Sequence, residues 1–492
     1  MDLGNSRGRC TTGVSGLDDV LHGGLIAEQL YLIEGSPGSG KTTLSLQFLM
    51  EGARKGERCL YITLSETERE LRAGAASHGW DLPGIDIVEM VANEDALERE
   101  AQVTMYHPAD VELDELTKAI LSAAERVKPQ RVVFDSLSEL KLLAGSSLRY
   151  RRQVLALKQY FVERHCTILM LDDKTTEDAD TQLQSIAHGV ITLKQHFPAY
   201  GMARRRLTVV KMRGSSFRSG SHDFTIESSG VVVYPRLVAA EHYGEFEMDQ
   251  ISSGVTAFDE MLGGGVEKGT STLLIGPAGS GKSTIAAAYA CAAADKGKHA
   301  AVFMFDESIN TMRKRCSAIG IDLDHEAGQG SIALRALDPA EVSPGEFAHM
   351  VRTAVEKDNA EIIVIDSLNG YLNAMPEEPF LTVQLHELLS YLGRRGVTTF
   401  MVVAQHGMMI GSNMPVGIDT SYLADCVVLH RFYEFQGQVK KAVSVVKKRS
   451  GWHEETIRSI HFDKDGIQVS KPLTHLRGVL TGVPIEVVGG AI

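Results

Sequence analysis

Two eight-residue stretches carry the residue types and spacing of a phosphate-binding site. Gly35-Ser36-Pro37-Gly38-Ser39-Gly40-Lys41-Thr42 and Gly276-Pro277-Ala278-Gly279-Ser280-Gly281-Lys282-Ser283 both fit G-x-x-x-x-G-K-[ST]. In such a loop the glycines let successive backbone N–H groups turn inward around phosphate oxygens. The lysine reaches the outer phosphates, and the hydroxyl after it, Thr42 or Ser283, is placed to ligate Mg²⁺. Thr43 and Thr284 follow directly and complete the candidate phosphate-contacting set. A glycine-rich turn without a ligand accounts for neither the lysine nor the hydroxyl, and here both recur.

A phosphate loop needs a strand before it and a helix after it, so that the anion sits on a helix N-terminus. Both stretches have that setting: apolar residues 30–33 and 272–275 precede them, and helix formers occupy 44–50 and 285–294. The repeat extends upstream. Residues 11–25 (TTGVSGLDDVLHGGL) align with 252–266 (SSGVTAFDEMLGGGV) at the same offset of 241 that relates Lys41 to Lys282. A tandem duplication follows, with halves at 1–240 and 241–475, a short tail at 476–492, and a polar, acidic junction within 239–250. Strand-like runs alternate with helical ones in each half. This predicts an α/β fold of two tandem RecA-like P-loop NTPase domains, each a mainly parallel sheet covered on both faces by helices. Ligands of such sheets lie at the carboxyl ends of the strands.

Several other residues fall at those ends. Apolar runs at 131–134 and 362–365 close on Asp135 and Asp366, candidate acids for holding Mg²⁺ directly or through water; the alternative is a helix N-cap. The runs at 59–64 and 301–305 lead into Ser65-Glu66 and Asp306-Glu307. Glu66, Asp306 and Glu307 are candidate general bases that orient and deprotonate water in line with a γ-phosphate, and adjacent acids can raise one another's pKa. The alternative is capping charge at a helix start. Late in each half a basic strand appears, with Lys211 and Arg213 on one face and Lys447 and Arg449 in the matching places. Two cations on one edge suit a phosphate from a neighbouring subunit; an ordinary solvated strand face is the plain alternative. Gln405-His406 could sense a γ-phosphate or simply turn the chain, and the arginines at 151–152 and 204–206 read as surface or subunit contact.

Composition narrows the function classes. The 492 residues are 43% hydrophobic, ample for two cores, and carry a net charge of −13 without a long basic run. Nucleic-acid binding by bulk charge is disfavoured. The six cysteines show no C-x-x-C spacing and no apolar run approaches a membrane span, so a cytoplasmic protein is expected.

Taken together, the two loops, the SET and DES turns, and the VVKMRGSS and VVKKRSGWHEE segments resemble the KaiC family of double-domain RecA-type ATPases over nearly the whole chain. The resemblance implies a homohexamer of two stacked rings. ATP and Mg²⁺ would lie at subunit interfaces, with Lys211, Arg213, Lys447 and Arg449 acting on a neighbour's nucleotide. It implies ATP hydrolysis mainly in the first half, and Ser/Thr autokinase activity as well in the second, with an unidentified signalling partner. This chain departs from the clock proteins at Ser65-Glu66 and Asp306-Glu307, where they carry two glutamates in both halves. Of their adjacent Ser and Thr acceptors only Ser421 remains, followed by Tyr422 and then Ala424-Asp425-Cys426. The segment 476–484 resembles the family's regulatory loop, and the eight residues after it are fewer than the clock proteins' partner-engaging tail, a feature nearer to the broad bacterial and archaeal KaiC-like group. Two other readings stay open: a nucleotide-dependent assembly or partner-docking switch without kinase activity, and a RecA-type motor on DNA.

Overall fold

The computed structural model describes residues 8–90, 108–173, 181–324, 331–373, 380–405 and 421–486. The chain divides into two compact units, Met1–Arg236 and Leu237–Ile492. The residues just after the division pack with the second unit: Ala239 lies in its core, and the Ala239 N–H donates to the Glu387 carboxylate at 3.1 Å.

In the first unit nine strands form one sheet: β1 (Leu30–Gly35), β2 (Cys59–Thr63), β3 (Ile85–Glu89), β4 (Arg131–Asp135), β5 (Thr167–Asp173), β6 (Gly189–His196), β7 (Arg204–Met212), β8 (Ser221–Glu227) and β9 (Gly230–Tyr234). Their spatial order is β3-β2-β4-β5-β1-β6-β7-β8-β9. The pairings from β3 to β6 are parallel, and those from β6 to β9 antiparallel. The second unit repeats the plan with β10 (Ser271–Gly276), β11 (His299–Met304), β12 (Ser331–Ala336), β13 (Ala360–Asp366), β14 (Thr398–Ala404), β15 (Cys426–Phe435), β16 (Gln438–Lys448), β17 (Arg458–Asp463) and β18 (Gly466–Pro472). Its order, β12-β11-β13-β14-β10-β15-β16-β17-β18, is the same strand for strand. Each unit is thus a RecA-like α/β domain whose antiparallel end carries the late basic strand, β7 or β16.

The parallel strands read as unbroken apolar runs because both faces are buried. Alternate residues of one strand feed separate cores. Tyr31, Ile33, Tyr61 and Val133 join Leu44, Phe48 and Leu49 of helix α1 (Lys41–Arg54) on one face, while Leu30, Leu32, Leu60 and Val132 pack on the other. Helix α2 (Lys282–Ala294) fills the equivalent place in the second unit with small residues, burying Ala286, Ala287 and Ala290 beside Ile285 and Tyr289. The segment 476–486 forms a small ribbon, Leu476–Arg477 against Ile485–Glu486, and Leu476 and Val479 pack on Tyr433 and Ala442. No described helix is long and apolar enough to cross a membrane.

One core feature has no apolar logic. Arg131 opens β4 yet is only 1% exposed. Its guanidinium pairs with Glu57, donates to the carbonyls of Thr11 and Phe48 at 2.8 Å each, and lies over the Phe48 ring. Those contacts tie the start of the sheet to α1 and to the segment before the phosphate loop. Removing one partner of such a group leaves buried polar atoms unpaired, at about 3–5 kcal/mol. Arg131→Ala should therefore lower first-unit stability by about 3–5 kcal/mol in chemical denaturation. A loss below about 1 kcal/mol, the ceiling for a surface pair, would show the cluster to be dispensable.

Candidate functional site

Each phosphate loop is built by a buried strand running into a helix with almost no connecting chain. Gly40 and Gly281 stand at the N-caps of α1 and α2 with φ of 97° and 100° and no side-chain cap. The first helical N–H groups are thus left for an anion. A side chain could not replace either glycine. A Cβ on Gly40 would come within 2.8 Å of Ile226, and one on Gly281 within 2.1 Å of the Phe462 ring.

Lys41 is buried. Its ammonium donates to the carbonyls of Gly35 and Ser36 at 2.9 Å each and pairs with Asp173 at 2.7 Å. The register of β1 on β5 sets Asp173 opposite Gly35. In the second unit Ala404 stands opposite Gly276, and the Lys282 ammonium donates to the Pro277 carbonyl at 2.7 Å. Burial lowers the Lys282 pKa to about 8, with Asp366 acting in the opposite sense. The Ser39 hydroxyl is buried without a hydrogen-bond partner among the described residues. Free helix amides, a buried ammonium and an orphan hydroxyl at one place fit a polyphosphate.

The structure brings the metal-ligand candidates Thr42 and Asp135 together. Thr42 Oγ1 donates to Asp135 Oδ2 at 2.8 Å, and Ser283 stands beside Asp366 and lowers its pKa. Asp135 also accepts from the Tyr61 hydroxyl at 2.5 Å. Burial raises the pKa of both acids, and these hydrogen bonds oppose it. A hydroxyl and one carboxylate are a fitting partial set for Mg²⁺, which keeps several waters and takes phosphate oxygens as its remaining ligands.

The acids after β2 and β11 lie beside those sites. Leu64 N–H donates to the Asp135 carbonyl and Phe305 N–H to the Asp366 carbonyl, both at 2.7 Å. Glu66 is held by its backbone, with its N–H on Thr63 Oγ1 at 3.0 Å and its carbonyl accepting from that hydroxyl at 2.6 Å. Its side chain is exposed, yet its pKa is raised, first by partial desolvation and then by the charges of Asp135, Glu70 and Asp173. In the second unit the two acids take different partners. Asp306 accepts from the Ser367 hydroxyl, and Glu307 pairs with Arg315 at 2.7 Å. The two adjacent carboxylates are thus tethered separately.

The late basic residues make contacts away from the loops of their own units. Lys211 donates to the Gln184 carbonyl at 2.5 Å and Arg213 to the Ser185 carbonyl at 2.8 Å, at the end of the helix Thr181–Ile186. Burial, then Arg213 and Lys158, lower the Lys211 pKa. Lys447 donates to the Ala424 carbonyl at 2.7 Å. Arg449 donates to the Tyr422 carbonyl at 3.1 Å and to Asp425 at 3.3 Å. Both pairs therefore cap the turn that leads into β6 or β15. Ser421 opens the second of these turns, the 3₁₀ segment Ser421–Leu423. Gln405 N–H donates to the Gly276 carbonyl at 3.0 Å; His406 lies outside the described residues.

Asp173, Tyr61, Arg315, Glu34 and His430 escaped the sequence reading. The buried Glu34 accepts from Gln184 at 3.0 Å and so connects β1 to the segment that holds Lys211. His430 is fully buried, its pKa pushed down to about 3 by burial and then by Lys282. An acid closing a strand signals Asp173; the other four have no local signature.

Residues 10–238 and 251–474 match a family described as ATPase, KaiC. The circadian clock oscillator protein KaiC of Parathermosynechococcus lividus is 24% identical over 493 residues, covering 99% of this chain and 90% of the relative. The protein of the same name from Prochlorococcus marinus (strain MIT 9313) is 26% identical over 484 residues, covering 96% and 95%. The circadian clock oscillator protein KaiC 1 of Synechocystis sp. is 25% identical over 483 residues, covering 97% and 92%.

The Lys282 shift predicts a pH dependence. Phosphate favours the charged ammonium, so binding raises its pKa, and affinity is full below the free value and falls above it. With the first site disabled by Lys41→Ala, ATP binding should be flat up to about pH 8 and weaken by up to about tenfold per unit beyond it. Titration with a fluorescent ATP analogue from pH 6.5 to 9.5, roughly spanning that value, measures this; a flat profile throughout would rule it out. With both loops, both strand-closing acids and the repeated sheet in place, the chain belongs to the KaiC family of ATPases.

Proposed function

We propose that the protein binds ATP with Mg²⁺ in both units and hydrolyses it, with Glu66 as the base of the first site and Glu307 that of the second. The observation that carries this reading is the Thr42–Asp135 hydrogen bond beside the buried Lys41, with Ser283 and Asp366 at the matching places beside the buried Lys282. Mg²⁺, held by those oxygens, would neutralise phosphate charge. Lys41 and Lys282 hold the outer phosphates, and Glu66 accepts the proton of the attacking water. Its raised pKa supports that role, since a base nearer neutrality takes a proton more readily.

The subunits assemble, in this reading, as a homohexamer in which Lys211, Arg213, Lys447 and Arg449 face a neighbour's nucleotide. Two cations capping one turn in each unit support it, because the turn and the strand edge then form a single basic rim. The second unit also transfers phosphate to Ser421, at the head of the turn that Lys447 and Arg449 hold. The output is a phosphorylation or nucleotide state read by a signalling partner, in keeping with the clock role that the relatives' names carry. Nucleotide-dependent assembly without kinase activity is the second reading, and the pairing of Glu307 with Arg315 favours it for the second site.

Purified protein incubated with γ-labelled ATP and Mg²⁺ decides between them. Free phosphate should appear and fall by at least about 10²-fold in Glu66→Gln with Glu307→Gln, and protein-bound label should vanish in Ser421→Ala. Bound label that survives Ser421→Ala would remove that residue as the acceptor. Free phosphate without bound label would leave an ATPase switch.

A further inference from the structure

Besides Ser65 and Asp306, the two units differ at a second place near the proposed base. Helices Glu68–Ser77 and Ile309–Ser317 follow the acidic turns in the same way, capped by Thr67 and Ser308, whose hydroxyls accept from Glu70 N–H and Thr311 N–H. Eight residues past each base, two turns along the helix, stands Gly74 in the first unit and Arg315 in the second. Arg315 spans three elements. Its Nη2 donates to Glu307 Oε2 at 2.7 Å and its Nε to Oε1 at 3.3 Å, while its Nη1 donates to Thr284 Oγ1 in the first turn of α2 at 3.0 Å. Both carboxylate oxygens are taken by one planar fork, the geometry in which arginine holds a carboxylate best. The pair is partly buried, Arg315 at 33% and Glu307 at 25% exposure, so solvent competes for it less than for a surface pair.

We propose that Arg315 is a latch on the second nucleotide site: while it holds Glu307 to α2, that carboxylate is withheld from water, and the second site keeps its ATP longer than the first. This deepens, and rests on, the reading of Glu66 and Glu307 as bases. A base must turn a lone pair toward the attacking water, and a carboxylate gripped on both oxygens by a cation is held in one orientation and is a weaker base. Glu66 has the opposite setting: the charges acting on it are those of Asp135, Glu70 and Asp173, and position 74 carries no side chain that could reach it. The same fold thereby holds a ready site and a restrained one. The restraint is a side chain that a change at the nucleotide, or at the face of the helix Ile309–Ser317, can release. Arg315 is a positioning residue, since it acts through Glu307.

The test uses the full chain with the first site silenced by Glu66→Gln. Adding Arg315→Gln should raise the steady-state kcat of phosphate release at least about tenfold with KM unchanged, a fraction of the roughly 10²–10⁴ that a positioned base supplies. Adding Glu307→Gln as well should abolish the gain. The converse variant, Gly74→Arg in a Lys282→Ala background, should slow first-site turnover by a similar factor without lowering the melting temperature. A Cβ at Gly74 meets nothing within 4 Å, so the helix accommodates the change. A kcat that falls or stays level in Arg315→Gln, while Glu307→Gln remains strongly impaired, would overturn the latch and leave the base reading standing. Indifference to Glu307→Gln in both backgrounds would instead remove the base, and the latch with it.

Discussion

The structure depends on a helix that starts directly at the end of a buried strand. In each unit the first N–H groups of α1 or α2 point out of the carboxyl edge of the sheet, and the N-cap glycine supplies no side chain to satisfy them. An anion is the natural partner for such a terminus. The surroundings crowd any other residue there, with a Gly40 Cβ within 2.8 Å of the Ile226 side chain and a Gly281 Cβ within 2.1 Å of the Phe462 ring. The antiparallel strands β8 and β17 thus each bring one side chain against the glycine at a helix start. This gives the meander beyond β6 and β15 a structural reason that its own sequence does not state.

Burial then sets the electrostatics. Lys41, Lys282, Asp135 and Asp366 are all nearly excluded from water, each at 9% exposure or less. Burial favours their neutral forms, and their hydrogen bonds and mutual charges favour the ionised ones. Asp135 shows the balance openly, raised by desolvation and held back by the Tyr61 and Thr42 hydroxyls. Lys41 pairs with Asp173; at the matching strand position beside Lys282 stands Ala404, and burial lowers the Lys282 pKa to about 8. One backbone plan therefore gives its two lysines different strand neighbours.

The duplication keeps the backbone and varies the charges around it. Sheet order, helix starts and the capped turns before β6 and β15 repeat between units. The acid opposite the first lysine, the arginine beside the second base and the buried His430 do not repeat. A tandem protein can divide labour in this way without altering its fold, because a few side chains at the carboxyl edge change what each site does.

The phosphate loops, the strand-closing aspartates and the two-domain α/β plan were legible in the residues, because each is a local pattern whose meaning depends on a few neighbours in sequence. The basic pairs on β7 and β16 were legible as pairs through strand alternation, but their contacts with the turns before β6 and β15 were not. Asp173, Arg315 and Arg131 reach their partners only through sheet register or across two helical turns, and such distances have no signature in a linear pattern. Adjacency in sequence placed Asp306 and Glu307 together, but not their partners, which the fold supplies as Ser367 for one and Arg315 for the other. Chain order by itself settled which groups stand at the edge of the sheet; packing settled which charges face one another there, since a pKa or an ion pair depends on separation and burial in space.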